Sequence, residues 1–391
     1  MDIVYFGNDW FAENKTSSHH IARRLSKRYR LLYVEVPGLR APKADARDVR
    51  KMFRKIGNSF QPPRQIDRQM WHMTVPQIPF RNLPLVGTAN RYAGAQLVKA
   101  AMRTVGFQSP LLWFTVPHPA HFLGQLREDF SVYYCIDDYS ALPDVDKNQV
   151  ARLDAELTDH AGLIFVSSSK LLESKKKRNP RTIYSPHGVD TELFARAQAA
   201  LPPHEGTHKL TRPVIGLHGL IDERLDLEIV ASIARARPQW TLLLIGHVAT
   251  DVSALRRLPN VVLAGMVPYE TLPDWARAYD VSIMPYKRGP FAENANPLKL
   301  REYLACGKPV VSTPMPSVEP FREHVLTAGN ADEFVACIEN ALASDSSEAT
   351  RARMAAIEHM SWDARVAEVV ALVEQHCADK PRALEGSYQT V

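Results

Sequence analysis

The chain has 391 residues, 45% hydrophobic and 23% charged, with 28 Pro and 18 Gly. This suggests two or three domains and excludes disordered, collagenous and coiled-coil chains. The net charge of +5 conceals an asymmetry: residues 20–108 hold 18 Lys/Arg against Glu35, Asp45, Asp48 and Asp67, and the remainder holds 30 against 39.

Strand-like apolar runs alternate with helical patterns along the first half, as in doubly wound α/β proteins. Strands are expected at Asp2–Phe6, Leu31–Val36, Leu111–Thr115, Val132–Ile136, Leu163–Val166 and Thr182–Tyr184. Helices are expected at Ser18–Lys27, Pro119–Arg127, Lys147–His160 and Ser169–Lys176. The basic, proline-bearing stretch 40–108 resists assignment, apart from a short amphipathic helix expected at Arg47–Ile56. His19 and His20 open the first helix without forming a metal set.

Around Ala195–Arg212 the chain turns polar and reads as a linker, after which the alternation restarts. Strands are expected at Val214–Leu217, Thr241–Ile245, Val261–Ala264, Val281–Met284 and Pro309–Ser312. Asp226–Ala236, Tyr269–Tyr279 and Pro297–Ala305 read as the helices between them, and Trp362–His376 as a last amphipathic helix. No apolar run approaches the ~20 residues that span a bilayer, so the expected location is cytoplasmic, with room for peripheral membrane contact. Cys135, Cys306, Cys337 and Cys377 are widely spaced without CxxC, which argues against a disulfide framework and structural zinc. Neither half carries G-x-G-x-x-G or a P-loop; Gly7-Asn8-Asp9 and His218-Gly219-Leu220 stand there instead.

The stretch Asn294–Thr313 carries the most chemistry. Asn296 reads as an N-cap and Pro297 as the first helical residue. The amides of Leu298, Lys299 and Leu300 would then be free at the positive end of the helix dipole, ready for a diphosphate. A lysine in that first turn opposes the dipole unless an anion sits between them. Glu302 follows on nearly the same face and suits the hydroxyls of a ribose.

These segments together resemble a GT-B glycosyltransferase, most closely the family-4 type that builds bacterial exopolysaccharides and teichuronic acids. Val132–Ser140 resembles the family's YDxxDDY strand end, Leu163–Ser168 its VFVTS strand, and Ser185–Phe194 its PNGVDxxxF segment. Gly219–Asp226 fills the place of the Arg-x4-Lys phosphate loop, with Gly219 at the Arg and Arg224 at the Lys. The first acid of the family's Glu-x7-Glu is Asn294 here, with Glu293 one residue out of register. The second half is also similar to the inverting glucuronosyltransferase of xanthan assembly, where a Pro-Tyr and a helix-opening Lys bind the nucleotide. Pro285-Tyr286 and Lys299 fit those places.

The resemblance implies two Rossmann-like domains facing a cleft. Residues 1–194 would form an acceptor domain, 195–212 a linker and 213–360 a nucleotide-sugar domain. Residues 361–378 would form a helix crossing back to the first domain, and 379–391 a tail. It also implies sugar transfer from a nucleotide donor, preferably a UDP-sugar, to a lipid-linked or polysaccharide acceptor. Asp137 or Asp138 would act as base, and His118 would contact acceptor or sugar. Arg224, Lys299 and the helix amides would neutralise the leaving diphosphate in place of a metal, with no other cofactor, and Tyr286 would meet the base. Asp190 is expected to serve the hinge. The basic stretch 40–108, with residues 40–60, Trp71 and Phe80, would dock on anionic membrane, and nucleic acid is not an expected partner. A UDP-sugar 2-epimerase and a degenerate partner subunit share this architecture and remain alternatives.

Overall fold

The computed structural model describes residues 1–12, 15–36, 62–76, 84–142 and 145–378. The expected basic helix at 47–56, the stretch 40–60, Phe80 and the tail lie outside them. The first sheet contains β1 (Asp2–Gly7), β2 (Arg30–Glu35), β3 (Arg64–Asp67), β4 (Met70–Thr74), β5 (Leu111–Phe114), β6 (Phe130–Cys135), β7 (Leu163–Val166) and β8 (Thr182–Tyr184). Their order is β3-β4-β2-β1-β5-β6-β7-β8, parallel except for the antiparallel edge strand β3. Ile3 aligns with Leu31 on one side and Leu111 on the other.

The inner strands β1, β2, β5, β6 and β7 are largely apolar because both faces are covered, as parallel sheets require. Side chains alternate between faces with period two. Val4, Phe6, Leu32, Val34, Leu112, Phe114, Tyr133 and Cys135 enter one core, which receives Ala95, Val98, Ala101 and Met102 from the helix Pro84–Val105. Ile3, Tyr5, Leu31, Tyr33, Leu111, Trp113, Val132 and Tyr134 enter the other. That second face is closed by Ile21 and Leu25 of the helix Ser17–Leu25 and by Trp362, Val366, Val369, Val370 and Val373 of the helix Trp362–Ala378. The last helix thus crosses back onto the first domain.

The second sheet contains β9 (Val214–His218), β10 (Thr241–Ile245), β11 (Val261–Gly265), β12 (Val281–Met284), β13 (Val310–Ser312) and β14 (Val325–Thr327). Its order, β11-β10-β9-β12-β13-β14, is all parallel and reverses direction between β9 and β12. The first sheet reverses likewise between β1 and β5. Ligand crevices form outside the carboxyl ends of strands at such reversals.

Several expectations change. Pro119–Arg127 is not a helix: only Ala120–Phe122 makes a 3-10 turn, and Gly124 at φ 78 ends any continuation. Tyr269–Tyr279 divides into a 3-10 turn, Tyr269–Thr271, and a short helix, Leu272–Ala276. The expected boundary at 194 also shifts. Val189, Phe194 and Ala197 pack into the second core, so the chain leaves the first domain soon after β8. Among the described residues no helix is long and apolar enough to cross a membrane.

Candidate functional site

The diphosphate-facing helix is Leu298–Ala305, with Pro297 rather than Asn296 at its N-cap. Asn296 does not cap because its side chain is engaged elsewhere. Its Nδ2 donates to the Ser167 carbonyl of the first domain at 2.6 Å, and its Oδ1 accepts from Arg301 at 2.7 Å. The Leu300 amide turns toward the Pro297 carbonyl at 3.3 Å, which leaves the amides of Leu298 and Lys299 as the open donors of the first turn.

Lys299 is 8% exposed, and its Nζ lies 5.3 Å from the centre of the Tyr286 ring. A Cβ added at Gly219 would sit 3.2 Å from both Cε and Nζ of that lysine. Gly219 holds φ 114, which disfavours side chains, and so keeps the space beside the ammonium clear. No carboxylate pairs with Lys299 among the described residues. A buried cation at the positive end of a helix, without an anion, is an electrostatic debt that a bound anion would relieve. Tyr286 is fixed by its amide, which donates to Thr313 Oγ1 at 3.1 Å.

Arg224 does not pair with Asp226 or Glu228. Asp226 accepts the Ile229 amide at the N-cap of the next helix, and Glu228 pairs with Arg235. Arg224 instead binds the buried Asp222, with Nε 2.8 Å from Oδ2 and Nη2 at 2.7 Å, and packs 4.7 Å from the Phe291 ring centre. Its charge reaches across the cleft to Asp137.

Asp137 follows β6 and is only partly exposed. Desolvation by the surrounding protein pushes its pKa up to about 6, while Arg224 and the Asp138 amide hold it down. The two neighbours have different tasks. Asp138 caps the following turn, accepting from Ser140 N at 3.1 Å and Ser140 Oγ at 2.6 Å, and meets Asn294 Nδ2 at 3.5 Å. The Asp137 carboxylate accepts from the Asp138 amide at 2.9 Å, and among the described residues no other hydrogen bond engages it. His118 is buried (3% exposed) just beyond β5. Glu293 lies outside this constellation, paired with Lys170 of the first domain.

At the crossing between domains, Asp190 binds Arg24 at 2.5 Å, His20 at 3.3 Å and the Tyr269 hydroxyl at 3.3 Å. Burial lowers the His20 pKa to about 4, so near neutrality Arg24 supplies the charge that balances Asp190. His19 does not face a ligand: its Nδ1 accepts from the Thr16 amide at 3.0 Å and its Nε2 donates to the Asp9 carbonyl at 2.9 Å. Asp190 is therefore a joint between domains.

Sequence reasoning passed over His218. It ends β9 fully buried, with Nε2 3.0 Å from Glu302 Oε2. The available signal was a polar residue closing the apolar run Val214–Leu217. No cluster of three or more His, Cys, Asp or Glu converges as a metal site among the described residues.

Residues 213–344 match the family described as glycosyl transferases group 1. The match falls within the second domain. The chain is 30% identical over 257 residues to the putative teichuronic acid biosynthesis glycosyltransferase TuaH of Bacillus subtilis; the match covers 61% of this chain and 64% of TuaH. Sucrose-phosphate synthase from Thermosynechococcus elongatus superposes with a TM-score of 0.69 at 18% identity, covering 97% of this chain and all of the other. Anabaena HepE, solved with UDP and glucose, superposes at 0.65 and 15% identity, covering 96% and 100%. These likenesses extend over both domains and establish the two-domain GT-B fold.

Proposed function

We propose that this protein transfers a sugar from a nucleoside-diphosphate donor, UDP preferred, to a hydroxyl of a lipid-linked or polysaccharide acceptor in cell-surface polysaccharide assembly. The observation that carries the reading is the buried Lys299 ammonium beside Gly219, which no carboxylate pairs among the described residues, in the first turn of a helix at the sheet's reversal point. A diphosphate there would meet Lys299, the amides of Leu298 and Lys299, and Arg224. Fixed positive groups of this kind stabilise charge as the glycosidic bond breaks, without a metal ion. The UDP and glucose bound to HepE and the teichuronic acid pathway in TuaH's name support the donor and acceptor classes.

Asp137 faces Arg224 from the other domain and is the better base of the pair, since Asp138 is committed to its turn. In an inverting reaction it would take the proton of the attacking hydroxyl. The basic stretch 40–108 suits a lipid-borne acceptor at an anionic bilayer, which would make the protein peripheral to the inner face of the membrane.

Calorimetric titration of UDP and GDP into the wild-type chain and Lys299→Ala tests the donor site. One nucleotide should bind, and the substitution should weaken it at least tenfold. No binding of either nucleotide to folded wild-type protein refutes the reading and favours a non-catalytic partner subunit.

A further inference from the structure

We propose that His218 is a positioning residue that aims the Glu302 carboxylate at the ribose, making the site select ribonucleoside over deoxyribonucleoside diphosphates. The inference rests on the donor-site reading above.

His218 is 1% exposed at the carboxyl end of β9. Its backbone amide donates to the Tyr303 hydroxyl at 2.8 Å. The imidazole sits edge-on to Tyr303 at 4.5 Å, with Phe194 and Tyr279 each 6.3 Å away. Packing alone would favour an apolar ring in this box, because the buried Nδ1 finds no partner among the described residues. The other nitrogen explains the residue. Nε2 lies 3.0 Å from Glu302 Oε2, and since a carboxylate only accepts, Nε2 carries the hydrogen.

Glu302 stands one turn beyond Lys299 and is 8% exposed. Among the described residues its carboxylate receives no hydrogen bond except from His218, and no Lys or Arg pairs with it. One oxygen is therefore fixed by the aromatic-boxed histidine, and Oε1 is left to accept from a ligand. A carboxylate oxygen oriented this way, in the same helix turn region as the diphosphate cation, fits the vicinal hydroxyls of a ribose. Without His218 the glutamate loses its fixed orientation while the diphosphate contacts stay in place.

The test is calorimetry of UDP and 2′,3′-dideoxy-UDP against the full-length wild type, His218→Phe, His218→Ala and His218→Gln, with circular dichroism confirming folding. Wild type should favour UDP at least tenfold. His218→Phe, which fills the ring's place without a donor, should bring that ratio toward one and leave dideoxy-UDP affinity within about threefold. His218→Ala should do the same if it folds, and His218→Gln should recover part of the ratio through its amide. An unchanged UDP preference in folded His218→Phe refutes the positioning role alone, as does equal loss of both ligands. Wild-type protein that binds neither nucleotide refutes the donor site and this inference together.

Discussion

Replacing Asp137 with Asn should stabilise the protein above neutrality while impairing it as an enzyme. The Asp137 pKa is raised to about 6 from an ordinary 3.8, chiefly by desolvation, with Arg224 only partly compensating. Ionising this carboxyl is thus harder in the folded chain than in the unfolded one, by at most about 3 kcal/mol. The folded state holds the proton more tightly, so the wild type loses this stability as pH rises from about 4 through 6. Asn mimics the protonated acid and avoids the loss. Urea unfolding at pH 8 should therefore show Asp137→Asn more stable, by up to about 3 kcal/mol, and at pH 4 the two proteins should coincide. A general base must be ionised, so wild-type turnover should rise through pH 6, and the variant should lose roughly 100-fold or more. Equal stabilities at pH 8, or a gain of the same size at pH 4, would refute the assignment of a desolvated carboxyl.

Trp362→Ala should cost about 3–5 kcal/mol, read by thermal or urea unfolding. Its ring is 1% exposed and stacks at 5.0 Å on His20, and its amide bonds the Val189 carbonyl at 3.1 Å, so the loss should loosen both domains together. Flotation with anionic liposomes should carry the full-length protein upward at low salt and less so as salt increases; absence of binding at moderate salt would remove the membrane-docking proposal.

The alternating architecture was legible because strands buried on both faces read as unbroken apolar runs, from Ile3–Phe6 to Val310–Val311. The edge was not. Arg64–Asp67 is mostly exposed and Met70–Thr74 mixes buried and half-buried residues, so neither resembles a core strand in composition. The helix Pro84–Val105 carries Gly87 and Gly94, which blur a helical pattern. Lys299 could be singled out because its charge conflicts with its place in a helix. The role of Asn296 could not, since its partner Ser167 lies in the other domain and a capping pattern takes no account of tertiary bonds. His218 escaped for a similar reason: its meaning depends on Glu302, 84 residues away.

The helix that closes the first sheet comes from the opposite end of the chain, and this bears on how the molecule is made. During synthesis the strands β1 to β8 emerge with one face of their sheet, including Tyr5, Trp113 and Tyr134, lacking the side chains of Trp362 to Val373. The second domain is contiguous from β9 to β14 and is released whole before that cover arrives. Domains usually complete in the order they leave the ribosome. Here the first to begin is the last to finish, and a fragment ending near residue 190 would present an apolar face covered only by the helix Ser17–Leu25.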